Sequence, residues 1–172
     1  MINTKFDKET IQDLTDRLLD ARNSNLKMVL DIEHRLEHTA TIQGVEIIND
    51  SKSTSMTATH YSLNCMQSPV IWLLSCVAAE SDLSALRDIV EEKVSAILYL
   101  GQEDSSLVED FIQQVDVIQC CDTMVELMDE ALKLADAGDT ILFSPATAVS
   151  EQFESYRHRG EEFKRAVQTM ID

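Results

Sequence analysis

Four short apolar segments, spaced by stretches of helical period, constrain this chain more than any other feature. They are Val70–Leu74 (VIWLL), Ala96–Leu100 (AILYL), Val115–Cys120 (VDVIQC) and Thr140–Phe143 (TILF). Segments apolar at successive positions suit strands covered on both faces, as in parallel sheets. Between them, Leu83, Leu86, Ile89 and Val90 form one helical face behind the cap candidates Ser81 and Asp82. Leu107, Val108, Phe111 and Ile112 form a second face. Met124, Leu127, Met128, Ala131 and Ala135 form a third, begun by Asp122 and stopped by Gly138. Strand and helix therefore alternate from residue 69 to 143, the signature of βαβ units in a doubly wound sheet with right-handed crossovers.

The flanks add less regular pieces. Glu37–Gln43 and Val45–Asn49 alternate apolar and polar residues around Gly44, which predicts a hairpin before the alternating unit. After it, one helix is predicted over about 148–157 and another beyond Gly160, with Phe163, Val167 and Met170 on one face. Ile11, Leu14 and Leu18 predict a first helix over about 7–21, followed by a loop at Asn23-Ser24-Asn25. A length of 172 residues fits one core. The division expected is 1–33 as an N-terminal helix and loop, and 34–172 as the sheet domain.

Charge excludes some partners. The chain carries 31 acidic and 14 basic side chains, a net charge of −17. Nucleic acid and anionic membrane are polyanions and are not expected partners. The excess is concentrated in residues 80–136, with fifteen acidic and three basic side chains. That suits solvated helix faces, or a docking surface for a basic partner. Cys65, Cys76, Cys120 and Cys121 show no CxxC spacing, and Cys76 and Cys120 fall within runs that read as buried strands. Buried free thiols in a reducing compartment are expected. The N-terminus is charged from Lys5 onward, with no apolar core of a signal peptide, and the longest apolar run, Pro69–Ala79, is too short to span a bilayer. The expected location is cytoplasmic.

Candidate chemistry lies in three clusters. Asn49-Asp50-Ser51-Lys52-Ser53-Thr54-Ser55 follows a strand and precedes a helical stretch. Such residues suit anion or nucleotide contact, and they equally suit a helix cap. His34-Arg35-Leu36-Glu37 offers an Arg that can hold a phosphate or stack on a base, or form a surface ion pair. Ser144-Pro145-Ala146-Thr147-Ala148 is a small-residue turn at a strand end, open to a ligand or simply a connection. His34 and His38 are four apart but lie at a strand entry, and no HExxH or EF-hand pattern occurs, so no metal site is expected. Only four glycines are present, Gly44, Gly101, Gly138 and Gly160, so the chain holds no Gly-rich phosphate cradle.

Taken in order, the clusters resemble the C-terminal domain of the Mur ligases, the ATP-dependent enzymes that add amino acids to the peptidoglycan precursor. The D-glutamate-adding branch is the most similar. The motifs that carry the likeness are His34-Arg35-Leu36-Glu37, Gly44-Val45, Asn49-Asp50-Ser51-Lys52-Ser53-Thr54, Gly138-Asp139 through Ser144-Pro145-Ala146, Gln152-Phe153 and Arg159-Gly160-Glu161-Glu162-Phe163. The resemblance implies an α/β, Rossmann-like three-layer sandwich with a mostly parallel sheet of about six strands. It implies nucleotide contacts by Arg35, Asp50 and Lys52, and substrate contacts by Thr54, Ser144 and Tyr156.

Departures from the pattern shape the expected function. The family's Gly-Gly turn falls on Ser75-Cys76. Its carboxylate-binding Lys falls on Ala79, beside Glu80, and a substrate-binding Ser falls on Val149. A cation replaced by a neutral residue beside an acid repels a glutamate carboxylate. The family's UDP-binding domain and P-loop ATPase domain do not fit in the 33 residues before His34. The expectation is a stand-alone, degenerate C-terminal domain: a pseudoenzyme serving as a binding or regulatory module. No cofactor would be tightly bound, and the resemblance implies weak, vestigial ATP/Mg contacts. The alternative is one subunit of a split ligase, completed in trans by a P-loop Mur-type chain. That chain, or another cell-wall enzyme, is the expected partner. A fragment of a longer coding sequence is a third reading.

Overall fold

The computed structural model describes residues 32–75, 82–101, 105–150 and 152–172. The expected helix at 7–21, and Cys76, Ala79 and Glu80, lie outside the described residues. The description below concerns the compact unit His34–Asp172.

Strands β1 (Glu37–Ile42) and β2 (Val45–Asn49) form the expected hairpin. Gln43 and Gly44 turn between them with φ of 52° and 85°. Two successive positive φ values match the right-handed twist of the strands and favour glycine. A Cβ on Gly44 would also come within 3.1 Å of Ala137. The strands that follow are β3 (Val70–Leu74), β4 (Val94–Leu100), β5 (Val117–Cys121) and β6 (Thr140–Phe143). The helices are α1 (Met56–Cys65), α2 (Arg87–Lys93, entered through a 3₁₀ turn at Ser84–Leu86), α3 (Ser105–Phe111), α4 (Met124–Leu134) and α5 (Tyr156–Ile171).

The sheet order is β1-β2-β6-β3-β4-β5, with only β1 antiparallel. Both faces are covered, which makes the three-layer α/β sandwich that the alternation predicted. On one face Val70, Trp72 and Leu74 of β3 pack with Leu63 of α1, Val90 of α2 and Phe111 of α3. On the other, Ile71 and Leu73 pack with Leu127 and Met128 of α4 and Phe163 and Val167 of α5. Trp72 meets Phe111 edge-on at 5.8 Å, and Phe143 stacks on Phe163 at 4.7 Å. Each large side chain so buried contributes about 1.5–3 kcal/mol.

Four local expectations are corrected. The segment predicted as a helix over 148–157 is not helical where it is described before Ser155. Instead the Ser155 hydroxyl accepts from His158 N–H, and a single helix runs from Tyr156 through Gly160 to Ile171. Strand β5 starts at Val117, because the Val115 N–H still bonds to the Phe111 carbonyl at the end of α3. That shift in phase makes Cys121 the buried thiol, while Cys120 is half-buried and donates to the Gly101 carbonyl. Burial, reinforced by Glu126, pushes the Cys121 thiol up to about 12. Finally, α4 is capped by Thr123, not Asp122: Thr123 accepts from Glu126 N–H, and the Glu126 carboxylate accepts from Asp122 N–H. Among the described residues, Cys65, Cys120 and Cys121 form no disulfide, and no helix is long and apolar enough to cross a membrane.

Candidate functional site

Strand β6 lies between β2 and β3, while β3 is followed by β4 and β5 on its other side. The strand order therefore reverses beside β3, and in open α/β sheets ligands sit outside the carboxyl ends of strands at such a reversal. The loop Asp50–Ser55 leaves β2 there, Ser144–Ala146 leaves β6, and Ser75 leaves β3. All three predicted clusters thus meet at one end of the sheet.

A buried polar layer ties them together. Asp50 is fully buried; its Oδ1 accepts from Leu36 N–H at 3.1 Å and its Oδ2 from the Ser144 hydroxyl at 2.8 Å. Because that hydroxyl has a single proton, Thr59 donates to Ser144 Oγ at 2.8 Å. Trp72 Nε1–H donates to the Ser144 carbonyl at 2.7 Å. The Lys52 N–H donates to the His34 carbonyl at 2.9 Å. These bonds hold the His34–Glu37 loop, in which His34 and Leu36 take φ of 63° and 45°. Such left-handed values are costly for side-chain-bearing residues and persist only where surrounding bonds impose them.

A second set lies beneath. Asn49 Oδ1 accepts from Ser51 N–H, leaving its amide protons for His34 Nδ1 at 3.0 Å and the Gly160 carbonyl at 3.3 Å. The imidazole proton is then on Nε2, which faces Glu161 at 3.6 Å. Arg159 is fully buried and donates to Ser51 Oγ, the Ser51 carbonyl and Ser75 Oγ. Ser51 Oγ–H in turn donates to the Tyr156 carbonyl at 2.8 Å.

Burial raises the Asp50 carboxyl above its ordinary 3.8, opposed by its hydrogen bonds to Ser53, Ser62, Ser144 and Leu36. The folded chain thus holds this proton more tightly than the unfolded chain. Stability from Asp50 is fully present below pH 3.8 and declines as pH rises through the raised folded value. The expected result is that urea midpoints of the wild type, measured against Asp50→Asn, fall as the pH rises above about 4. A gap that instead moves in favour of the wild type would show that the ionised carboxylate is net stabilised.

Outside this layer, Arg35 and Lys52 open onto a cavity of about 340 Å³ bordered by Ser53, Ser55, Thr57, Ala58, Tyr61 and Ser62. Neither cation forms an ion pair with a carboxylate among the described residues, and the described lining holds no carboxylate. The donor set therefore fits a phosphate-bearing ligand; a Mg²⁺ ion accompanying it would need ligands from elsewhere. The Tyr156 ring lies under Lys52 Nζ at 5.8 Å. Of the other predicted contacts, Ser144 is committed to the buried layer with Asp50, Thr54 is exposed beside the cavity, and Val149 is half-buried between β6 and α5. A cavity of similar size, about 350 Å³, lies at the opposite end of the sheet between Gln67–Pro69 and Glu92–Ser95. Its one cation, Lys93, is paired with Glu92.

The model of the family "Mur ligase, glutamate ligase domain" matches residues 34–147, the stretch that holds both loops and the β6 turn. The chain belongs to the Mur ligase family. It is 40% identical over 139 residues to a UDP-N-acetylmuramoylalanine–D-glutamate ligase of Christiangramia forsetii, covering 81% of this chain and 31% of that protein. The same-named protein of Cytophaga hutchinsonii is 35% identical over 144 residues, with 84% and 32% covered. The chain spans about a third of the length of the curated relatives it matches. Among solved structures, MurF from Acinetobacter baumannii aligns with a TM-score of 0.53 at 15% identity, over 80% of this chain and 31% of that one. A bifunctional folylpolyglutamate synthase/dihydrofolate synthase from Yersinia pestis aligns at 0.54 and 13% identity, over 83% and 32%. These distant likenesses show the fold. Within this Mur ligase domain, the H-R-x-E and N-D-S-K stretches are adjacent, joined by the Lys52–His34 and Leu36–Asp50 bonds, and the Arg-Gly pair of α5 supports them from below.

Sequence reasoning missed Arg159 as a structural anchor and Tyr61 as part of the cavity. Arg159 carries a family motif but no sequence mark of burial. Tyr61 does have one: it lies four residues after Thr57, on the helical face that follows the Ser53–Ser55 loop.

Proposed function

We propose that this Mur ligase domain is a nucleotide-contacting module that does not carry out ligation with its own residues. The observation that carries the reading is the convergence of Arg35 and Lys52 on one hydroxyl-lined cavity outside the carboxyl ends of the strands. Two cations with no ion pair among the described residues, and a row of hydroxyls, suit a nucleoside phosphate. The sequence has no Gly-rich loop to cradle a transferring phosphate, and such transfer needs that cradle and metal clamps. Membership of the family supports a place beside peptidoglycan-precursor synthesis, and the role assigned there is binding or regulatory. The P-loop machinery of any ligation would come from outside these residues, and the partner in this reading is a Mur-type ATPase chain or another cell-wall enzyme. Cysteines held as thiols and not as disulfides among the described residues support a cytoplasmic setting.

The test is isothermal titration of the 172-residue protein with ADP and with ATP-Mg. Saturable binding is expected, weakened about tenfold or more by Arg35→Ala or Lys52→Ala, since a charge-assisted hydrogen bond contributes about 1.5–3 kcal/mol. Absence of binding at millimolar nucleotide would remove the reading. Co-purification of a P-loop Mur-type chain from native lysate would assign the module to a two-chain ligase.

A further inference from the structure

One lining residue brings an aromatic ring to the cavity. Tyr61 projects from the middle of α1, a turn beyond Thr57, and is 47% exposed. Its ring is the only aromatic surface among the described residues that line the cavity. No ring contact to another described side chain covers it. Arg35, the planar cation of the cavity, lies close enough to Tyr61 to bias its hydroxyl electrostatically, against the effect of Cys65 one turn further along α1. A guanidinium and a phenol facing the same space are the two side-chain planes best suited to a flat heterocycle. The remaining lining, Lys52 with the Ser53 and Ser55 hydroxyls, suits the phosphate end of the same molecule. The cavity volume of about 340 Å³ is at the small end of ligand pockets and holds a fragment the size of a base better than a whole dinucleotide.

The geometry points to Tyr61 as a base platform: a nucleoside phosphate binds with its base stacked on the Tyr61 ring under Arg35 and its phosphates toward Lys52. This rests on the nucleotide reading above and assigns the part of the ligand that reading leaves open. Stacking uses the face of the ring and not its hydroxyl, so the role belongs to the aromatic ring alone. It tolerates different bases, because each has a π-face.

Calorimetric titrations of wild type, Tyr61→Ala and Tyr61→Phe with ADP and with inorganic tripolyphosphate separate the terms. Tyr61→Ala is expected to weaken ADP at least about fivefold and leave tripolyphosphate unchanged, while Tyr61→Phe binds both as the wild type does. Tyr61 is exposed, so the truncation does not threaten the fold. Unchanged ADP affinity in Tyr61→Ala overturns the base platform and leaves the phosphate site standing. Equal loss for both ligands also overturns it, since the effect would not follow the base. Failure of the wild type to bind either ligand overturns the nucleotide reading itself, and the platform with it.

Discussion

Replacing Arg159 by Met is expected to lower the stability of the folded chain by on the order of 3 kcal/mol. Arg159 is as buried as the aromatic core, yet it carries a charge and donates to Ser51 Oγ, the Ser51 carbonyl and Ser75 Oγ at 2.8–3.1 Å. Methionine nearly fills the volume but donates nothing. The Ser hydroxyls can rotate toward other partners; the Ser51 carbonyl cannot. A buried acceptor left without a donor costs about 1–3 kcal/mol, and loosening of Ser51 also frees the loop that carries Lys52. The chain's single tryptophan, Trp72, is fully buried and reports unfolding by fluorescence. The urea midpoint should fall by about 1–2 M for a slope of about 2 kcal/mol/M. An unchanged midpoint would mean that Arg159 is held there without contributing to the fold. Arg159→Lys should recover only part of the loss, because one ammonium cannot reproduce the forked contacts to two serines.

The second large effect turns on its sign. Gly160 lies inside α5, where Ala normally gains about 1 kcal/mol over Gly. Here a Cβ would fall 2.3 Å from His34 Nδ1, far inside contact distance. The imidazole has no room to yield, being 2% exposed and held by Asn49 Nδ2 at 3.0 Å. Gly160→Ala should therefore destabilise by about 1–3 kcal/mol, lowering the melting temperature by about 5 °C. It should also displace the His34–Glu37 loop and so weaken nucleotide binding. In a His34→Ala background the same change should turn mildly stabilising, because the obstacle is gone and the helix preference remains. Stabilisation of the single variant would refute the close approach.

These cases show where the sequence speaks and where it stops. The strands β3, β4 and β6 were legible because VIWLL, AILYL and TILF are apolar on both faces, which only a covered parallel strand explains. The hairpin was legible from Gly44 and its alternating flanks. Strand β5 was placed two residues early, since Val115 is apolar for a different reason: it closes the turn after α3. Gly160 was read as the break before a helix because glycine usually is one. Its actual cause is His34, 126 positions away in the chain, a contact that no local pattern encodes. Within the site, Arg35, Asp50, Lys52 and Ser144 were picked out by residue type and family motif. What could not be read is their division of labour. Asp50 and Ser144 face each other in a buried layer that fixes the loops, whereas Arg35 and Lys52 face the cavity. Burial decides that division, and burial is a property of the assembled sheet.

We propose that nucleotide meets this domain at the carboxyl ends of β2, β6 and β3, through Arg35 and Lys52. This is tested most directly by amide chemical-shift mapping of the ¹⁵N-labelled chain during an ADP titration. Saturable shifts should concentrate at Arg35, at Lys52–Ser55 and along the first turns of α1 to Ser62. Absence of shifts at millimolar ADP, or shifts centred on Gln67–Pro69 and Glu92–Ser95 at the opposite end of the sheet, would contradict the claim.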